Sequence, residues 1–223
     1  MKVCVLIPVH NEGKEIARIV GAVRAQGLDV IVVDDGSEDD SGRLAEEQGA
    51  LVLRNPAKQG KGASLQKGFA HILQHPYDGV VTMDGDGQHD VDDLPLFLAK
   101  AAGQPKSVVN GTRMGEAFRM PLVRRVTNRM MSWMISSLCG QKIEDTQCGF
   151  RYISCDVLRQ IHLTASDFEI ETEVLMKTSR LGYPILSVPI KTIYRDETSK
   201  IRPIKDTIRF FAYIFREMKN RKI

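Results

Sequence analysis

Asp84, Asp86 and Gln88 stand on alternate positions, separated by Gly85 and Gly87, at the end of an apolar run. Carboxylates this close repel one another unless a positive charge sits among them. Three oxygen-bearing side chains along an extended turn suit a hard divalent cation, Mg²⁺ or Mn²⁺, shared with substrate phosphates. The two glycines would let the backbone pass close to such a ligand. Asp90, Asp92 and Asp93 follow at once and read as the acidic start of the next helix, where negative charge favours the helix dipole. A calcium-binding EF-hand loop also begins with alternating aspartates. It requires Gly at its sixth position and Glu at its twelfth, where this chain has His89 and Pro95, so that reading fails. His89 reads as an ordinary loop residue.

A second acidic group, Asp34-Asp35-Gly36-Ser37, closes another apolar run. Asp34 ends the run itself, where a carboxylate can accept hydrogen bonds from a ribose or a base. The alternative is a turn with Ser37 as N-cap of the following helix. The stretch Asn55 to Gly68 is rich in Gly and Lys, yet it is not a Walker loop. That loop needs Gly five residues before Gly60 and Ser or Thr after Lys61, and Asn55 and Gly62 stand there. A helix whose glycine-rich start packs beside a nucleotide stays open.

These groups need elements to hold them. Residues 3–9, 30–33 and 79–83 are short β-branched runs that read as strands buried on both faces. Residues 13–26, 38–48 and 60–74 carry helical spacing, as in Ile16, Ile19, Val20 and Val23. Alternation of this kind predicts an α/β fold with a mostly parallel, Rossmann-like sheet flanked by helices, ligands gathering beyond the carboxyl ends of the strands. Further on, residues 121–139 form a Met-rich amphipathic stretch, 168–181 a helix, and 184–194 an edge strand, given Pro184 and Pro189. The last segment sets Ile204, Ile208, Phe211, Phe215 and Met218 on one stripe flanked by basic residues. One catalytic domain over residues 1–200 and a basic amphipathic C-terminal helix over 201–223 are expected.

Composition narrows the class. A chain of 223 residues that is 43% hydrophobic suits one core, and a net charge of +3 is too mild to indicate nucleic acid. Cys4, Cys139, Cys148 and Cys155 show neither zinc-ligand spacing nor a disulfide framework, which fits a reducing cytoplasm. His10, Asn11 and Glu12 follow the first apolar run directly, so a core strand is preferred to a signal peptide, and Asn110-Gly111-Thr112 is read as a silent glycosylation triplet. No run approaches the ~20 apolar residues of a membrane span.

Taken in order, IPVHNE, VVDDGSEDDS, N-x-x-x-x-GKG, MDGDGQHD, GTR, DTQCGFR, FEIETE and YRDETSKIR resemble the family 2 inverting glycosyltransferases of GT-A fold. The likeness is greatest to the branch of dolichyl- and polyprenyl-phosphate mannose and glucose synthases. It implies that Pro8, Asn11, Glu12, Asp34 and Asp35 border the base and ribose of a nucleotide-sugar, GDP- or UDP-linked, with Lys61 also on the donor side. Asp84, Asp86 and Gln88 would hold Mg²⁺ or Mn²⁺. Arg113, Arg195 and Lys200 would face the diphosphate or an acceptor phosphate, and Asp145, Gln147, Arg151 and Glu169 would lie toward the acceptor. An anionic lipid phosphate hardly needs a base; a hydroxyl acceptor would, and Asp145 is the candidate, with a capped turn as its plain alternative. Many relatives carry membrane helices after the catalytic domain, and this sequence shows none. The basic terminal helix could lie on the cytoplasmic membrane face or pack on the domain. Two rival readings are a sugar-1-phosphate nucleotidyltransferase, whose glycine-rich loop PVHNEGKE does not supply, and a nucleotide-sugar-binding protein without turnover. Oligomeric state is not indicated.

Overall fold

Val3–Val9 (β1) is a run of aliphatic, mostly β-branched side chains, which favour the extended pleat. Its residues divide by alternation. Cys4 and Leu6 join one core cluster, while Val3, Val5, Ile7 and Val9 join a second on the opposite face. Both faces are covered, which is why the run is apolar throughout. Asp29–Asp34 (β2) and Gly79–Thr82 (β4) obey the same rule, with Ile31, Val33 and Val80 on the first face and Val30, Val32 and Val81 on the second.

The computed structural model describes residues 1–115, 122–191, 193, 210, 211, 213 and 214. Helices Gly13–Ala25 (α1), Ser41–Glu47 (α2) and Leu94–Gly103 (α4) cover the second face, α1 through Ile16, Ile19, Val20 and Val23. Helices Lys61–Ile72 (α3), Leu122–Cys139 (α5) and Glu169–Arg180 (α7) cover the first, with Leu65, Phe69, Ile135 and Val174 in its core. Leu51–Arg54 (β3), Val108–Thr112 (β5), Arg151–Ser154 (β6), the short helix Cys155–Leu158 (α6) and Ile185–Pro189 (β7) complete the described elements.

The sheet runs β3-β2-β1-β4-β6-β5-β7. All neighbours are parallel except that β6 is antiparallel to both β4 and β5. The chain leaves β1 toward β2 on one side and returns with β4 on the other, so the crevice lies beyond the carboxyl ends of β1 and β4. Reversing β6 has a further effect. The loop that leads into it, residues 145–150, arrives at the same edge where β4 and β5 end.

Most expected elements form, β7 at the sheet edge among them. β3 and β5 are strands that the sequence pattern did not mark. α2 starts at Ser41 with Asp40 at its N-cap, so Ser37 is not the cap; its Oγ instead accepts from the Asn11 N–H at 3.0 Å. The expected stripe of the last segment lies outside the described residues except Phe211, which is half-buried, while its neighbours Phe210, Tyr213 and Ile214 enter the core. The side chains that enter the core there, Phe210, Tyr213 and Ile214, are not members of the expected stripe.

Gly68 sets how closely α3 approaches the sheet. A Cβ there would stand 2.3 Å from Cδ1 of Leu6, which is fully buried and has nowhere to move. Gly68→Ala should therefore destabilise by about 1–3 kcal/mol in urea unfolding, despite a helix-propensity gain of about 1 kcal/mol. An unchanged midpoint and slope would mean that α3 sits further from β1.

Candidate active site

The turn after β1 is stitched to the loop after β2. Asn11 takes φ 57°, a left-handed conformation that Asn tolerates better than most residues, and its Oδ1 accepts from the Glu38 N–H at 2.8 Å. The Glu12 N–H donates to Ser41 Oγ at 2.8 Å, and His10 Nδ1 lies 3.0 Å from the Asp35 carbonyl. Beside this seam opens a cleft of about 710 Å³ lined by His10, Asp34, Ser37, Arg43, Arg54 and Asn55. Asp34 accepts from the Ser37 N–H at 2.9 Å, and Pro8 lines a small void with Lys61 and Asp84.

Asp35 is spent on the protein. Its carboxylate accepts from Asn55 Nδ2 at 2.8 Å, from the Gln59 N–H at 2.9 Å and from the Gly60 N–H at 2.8 Å. Burial opposes its ionisation, yet these bonds and Ser64 hold its carboxyl below the ordinary range. The loop before α3 is thus pinned to β2. Its glycines face protein as well: a Cβ on Gly62 would lie 2.3 Å from the Ala165 carbonyl, and one on Gly60 2.5 Å from that of Ser166. The expectation of close packing against a nucleotide is corrected here, because residues 165–167 fill that side. Gly85 and Gly87 behave likewise. Added Cβ atoms would stand 2.7 Å from Val9 Cγ1 and 2.8 Å from Glu15 Oε2.

Between the pinned glycines, Lys61 reaches the end of β4. Its ammonium lies 2.5 Å from Asp84 Oδ1 and 2.6 Å from Glu171 Oε1 on α7, and 5.6 Å from the centroid of the Phe168 ring. Burial would lower its pKa; the two carboxylates raise it instead, so it stays charged. Burial likewise resists ionisation of Asp84, but Lys61, His89 and Arg113 keep it well below the ordinary carboxylate range. Asp86 moves the other way, raised by burial and then by the charge of Asp84. Its Oδ1 accepts from the Gln88 N–H at 3.0 Å, and its other oxygen meets no described donor. Gln88 is held through its backbone, its carbonyl accepting from the Ile193 N–H at 3.0 Å. His89 is no simple loop residue. It is buried, stacked on Phe150 with ring centroids 5.0 Å apart, and its Nδ1 accepts from the Asp84 N–H at 3.2 Å. Burial lowers its pKa, against the pull of Asp84 and Asp86.

The loop entering β6 adds the third part. Arg113, just past β5, donates from Nε and Nη2 to the two oxygens of Asp145 at 2.7 and 2.9 Å, a bidentate pair with Asp145 fully buried. Asn128 of α5 donates to the same carboxylate at 2.9 Å. Burial opposes the charge on Asp145, and Arg113 with these donors keeps its pKa low. Nη1 of Arg113 is left without a described partner. Arg151 turns inward instead, giving its guanidinium to the carbonyls of Cys148, Thr146 and Glu171. Gln147 and Glu169 are half-buried, Gln147 with its N–H 3.2 Å from Asp145 Oδ1. Gly149 closes the group: a Cβ would stand 2.9 Å from Asp84 Oδ2, Glu171 Oε1 and Lys61 Nζ alike.

Asp84, Asp86, Gln88, Lys61, Arg113 and Asp145 thus gather at one edge, with Pro8 beside them; Asp34 lines the neighbouring cleft, and Asn11 and Glu12 bond to Ser37, Glu38 and Ser41 next to it. Arg195 and Lys200 lie outside the described residues. His89, Glu171 and Asn55 were not anticipated in these contacts. Only the run of alternate glutamates in FEIETE hinted at Glu171.

An oxygen-only set of Asp84, Asp86 and the Gln88 amide fits Mg²⁺ or Mn²⁺, and Asp86 offers a free oxygen toward it. Among the described residues no group of three or more His, Cys, Asp or Glu side chains is placed to hold a metal ion.

Residues 4–162 match the family described as Glycosyl transferase family 2. The chain belongs to that family. It is 31% identical over 208 residues to the undecaprenyl-phosphate mannosyltransferase of Micrococcus luteus, covering 88% of this chain and 85% of that protein. It is 30% identical over 207 residues to the polyprenol monophosphomannose synthase of Mycolicibacterium smegmatis, covering 86% and 77%. Glucosyl-3-phosphoglycerate synthase from Mycobacterium tuberculosis, solved with phosphoglyceric acid, superposes with a TM-score of 0.73 at 21% identity, covering 92% of this chain and 74% of that one. Fold and family agree on the GT-A arrangement, and the chain is a glycosyltransferase. The nucleotidyltransferase reading gives way to this membership.

Asp145→Asn should leave the Arg113 guanidinium buried and unpaired, at a cost of about 3–5 kcal/mol in urea unfolding at pH 7. A carboxyl held low in the folded state stabilises above its unfolded pKa of about 3.9 and loses that contribution as pH falls through the folded value. The gap between the two proteins should therefore shrink in acid. A gap that is small at pH 7 would show that Arg113 finds another partner.

Proposed function

We propose that the protein transfers a hexose, with inversion, from a GDP- or UDP-linked sugar to a polyprenyl phosphate, using Mg²⁺ or Mn²⁺. The observation that carries this reading is the pair Asp84 and Asp86 at the end of β4, sharing its site with a charged lysine, in a family 2 chain. The acceptor is taken from the relatives, which are named for undecaprenyl phosphate and polyprenol. A related structure was solved with Mn²⁺ and UDP, at 21% identity.

In this reading the open cleft receives base and ribose, with Asp34 on its wall and Asn11 and Glu12 at its rim; Asp35 shapes it by fixing the loop before α3. Asp84, Asp86 and Gln88 hold the cation, which neutralises the diphosphate when bound. Lys61 lends its positive charge to the same phosphates. Arg113, oriented by Asp145, presents Nη1 to the acceptor phosphate. An acceptor oxygen attacks the anomeric carbon from the face opposite the diphosphate, the bond from that carbon to the diphosphate oxygen breaks, and the electron pair leaves on the diphosphate. The attacking oxygen is already anionic, so no proton has to move. Asp145, with both oxygens engaged, acts as the positioning group for Arg113. Gln147 and Glu169 face the acceptor side, Arg151 supports the loop that carries Gln147, and Arg195 and Lys200 are assigned to the phosphates. Among the described residues no helix is long and apolar enough to cross a membrane. We place the work in the cytoplasm, at a membrane surface that holds the acceptor.

Purified protein given each nucleotide-sugar, metal and a short polyprenyl phosphate should release nucleoside diphosphate and form glycolipid. Metal-dependent donor binding without consumption would point to a binding protein instead. Asp86→Asn should lower turnover by on the order of 100-fold or more, with the circular dichroism spectrum unchanged. Full activity in that variant would sink the metal assignment.

A further inference from the structure

Helix α5 carries an apolar stripe that is exposed among the described residues. Leu122, Val126, Met130 and Trp133 are spaced by four, four and three residues, one side of a 3.6-residue helix, and are 63, 58, 51 and 73% exposed. Four of the nine large apolar side chains exposed among the described residues therefore sit on a single line. Scattered surface hydrophobes need no explanation; a contiguous row does. The helix also contains Arg124, Arg125 and Arg129 and no acidic residue, and Arg125 and Arg129 follow one edge of the stripe.

The opposite side of the helix is committed to the candidate site. Met131 and Ile135 enter the core, Asn128 holds Asp145, and Ser132 Oγ accepts from the Thr146 N–H at 3.0 Å. One helix thus meets the acceptor-side residues inward and offers an apolar, arginine-edged row outward.

We propose that this face of α5 docks on an anionic lipid bilayer surface, its apolar row in the headgroup boundary and its arginines against lipid phosphates. Amphipathic helices of this kind lie in the interface plane, and tryptophan prefers that depth. The charge selects lipid over a second copy of the chain, because pairing two such helices would bring their arginines together with no carboxylate on either. The inference deepens the reading of a lipid-linked acceptor and rests on it for purpose.

Trp133 is the sole tryptophan, so it reports directly on the face. With the full chain and substrate-free vesicles of phosphatidylcholine containing phosphatidylglycerol, its emission should shift to shorter wavelength and be quenched by brominated acyl chains, less so at high salt or with phosphatidylcholine alone. The double variant Val126→Ser, Met130→Ser keeps the reporter and should weaken partitioning about tenfold or more, with an unchanged melting temperature. Emission that ignores anionic vesicles overturns the proposal. A shift that appears without vesicles as protein concentration rises, with a dimer in sedimentation, overturns it in favour of self-association. Turnover on a water-soluble short polyprenyl phosphate separates the two readings: turnover without vesicle binding sinks only the docking face, and vesicle binding without turnover sinks only the proposed reaction.

Discussion

The ammonium of Lys61, lodged between Asp84 and Glu171, is the contact on which the site depends. It joins the start of α3, the end of β4 and the first turn of α7 at one point. Four carboxylates, Asp84, Asp86, Asp145 and Glu171, share this region with three cations, Lys61, Arg113 and Arg151. Among the described residues negative charge is in excess, and it falls on Asp86, the carboxyl whose ionisation is made costly by burial and by Asp84. Taken over these described residues, the site stabilises an added cation more than an added anion.

Holding Lys61 there constrains the backbone around it. Gly60 and Gly62 must lack side chains because the 165–167 loop presses on them, and Gly149 must because it faces the three charges directly. The glycines read from the sequence as room for a ligand are instead places where protein meets protein. What they give the ligand is indirect: a lysine whose position is fixed by close packing on both sides. The reversed strand β6 contributes in the same way, since only a strand entering from that edge could deliver Gly149 and Asp145 to the ends of β4 and β5.

Much of this was legible from residues 1–93. Continuous β-branched runs announced strands covered on both faces, and polar groups at their ends marked the crevice, because in a parallel sheet those features have one common cause. β3 escaped notice because Leu51–Arg54 is short and half-exposed, and β5 because Val108–Thr112 holds Asn, Gly and Thr among its valines. Contacts across long separations escaped altogether. Lys61 and Glu171 are 110 positions apart, and the Arg113–Asp145 pair spans 32, so a single sequence carries no trace of either. His89 was misjudged for another reason. Polarity suggests a surface, but the ring is stacked on Phe150 and accepts a backbone hydrogen bond, which satisfies it inside.

The five aspartates between residues 84 and 93 show how far type alone leads. Asp84 is neutralised by Lys61 and Asp86 is left with an open oxygen, though they are two residues apart. Asp90 accepts from the Asp92 N–H at 3.0 Å and opens the turn before α4, as helix chemistry requires. Asp93 was expected to do the same, yet it is buried and accepts at 2.8 Å from the N–H of Lys191, just past β7. With the Gln88 carbonyl holding Ile193, this ties the chain that leaves β7 back onto the very loop that carries the metal candidates. The stretch is therefore three devices in ten residues: a candidate cation site, a helix start, and an anchor that fixes where the chain departs from the sheet. Only burial and partner distinguish them, and both are set by elements distant in sequence.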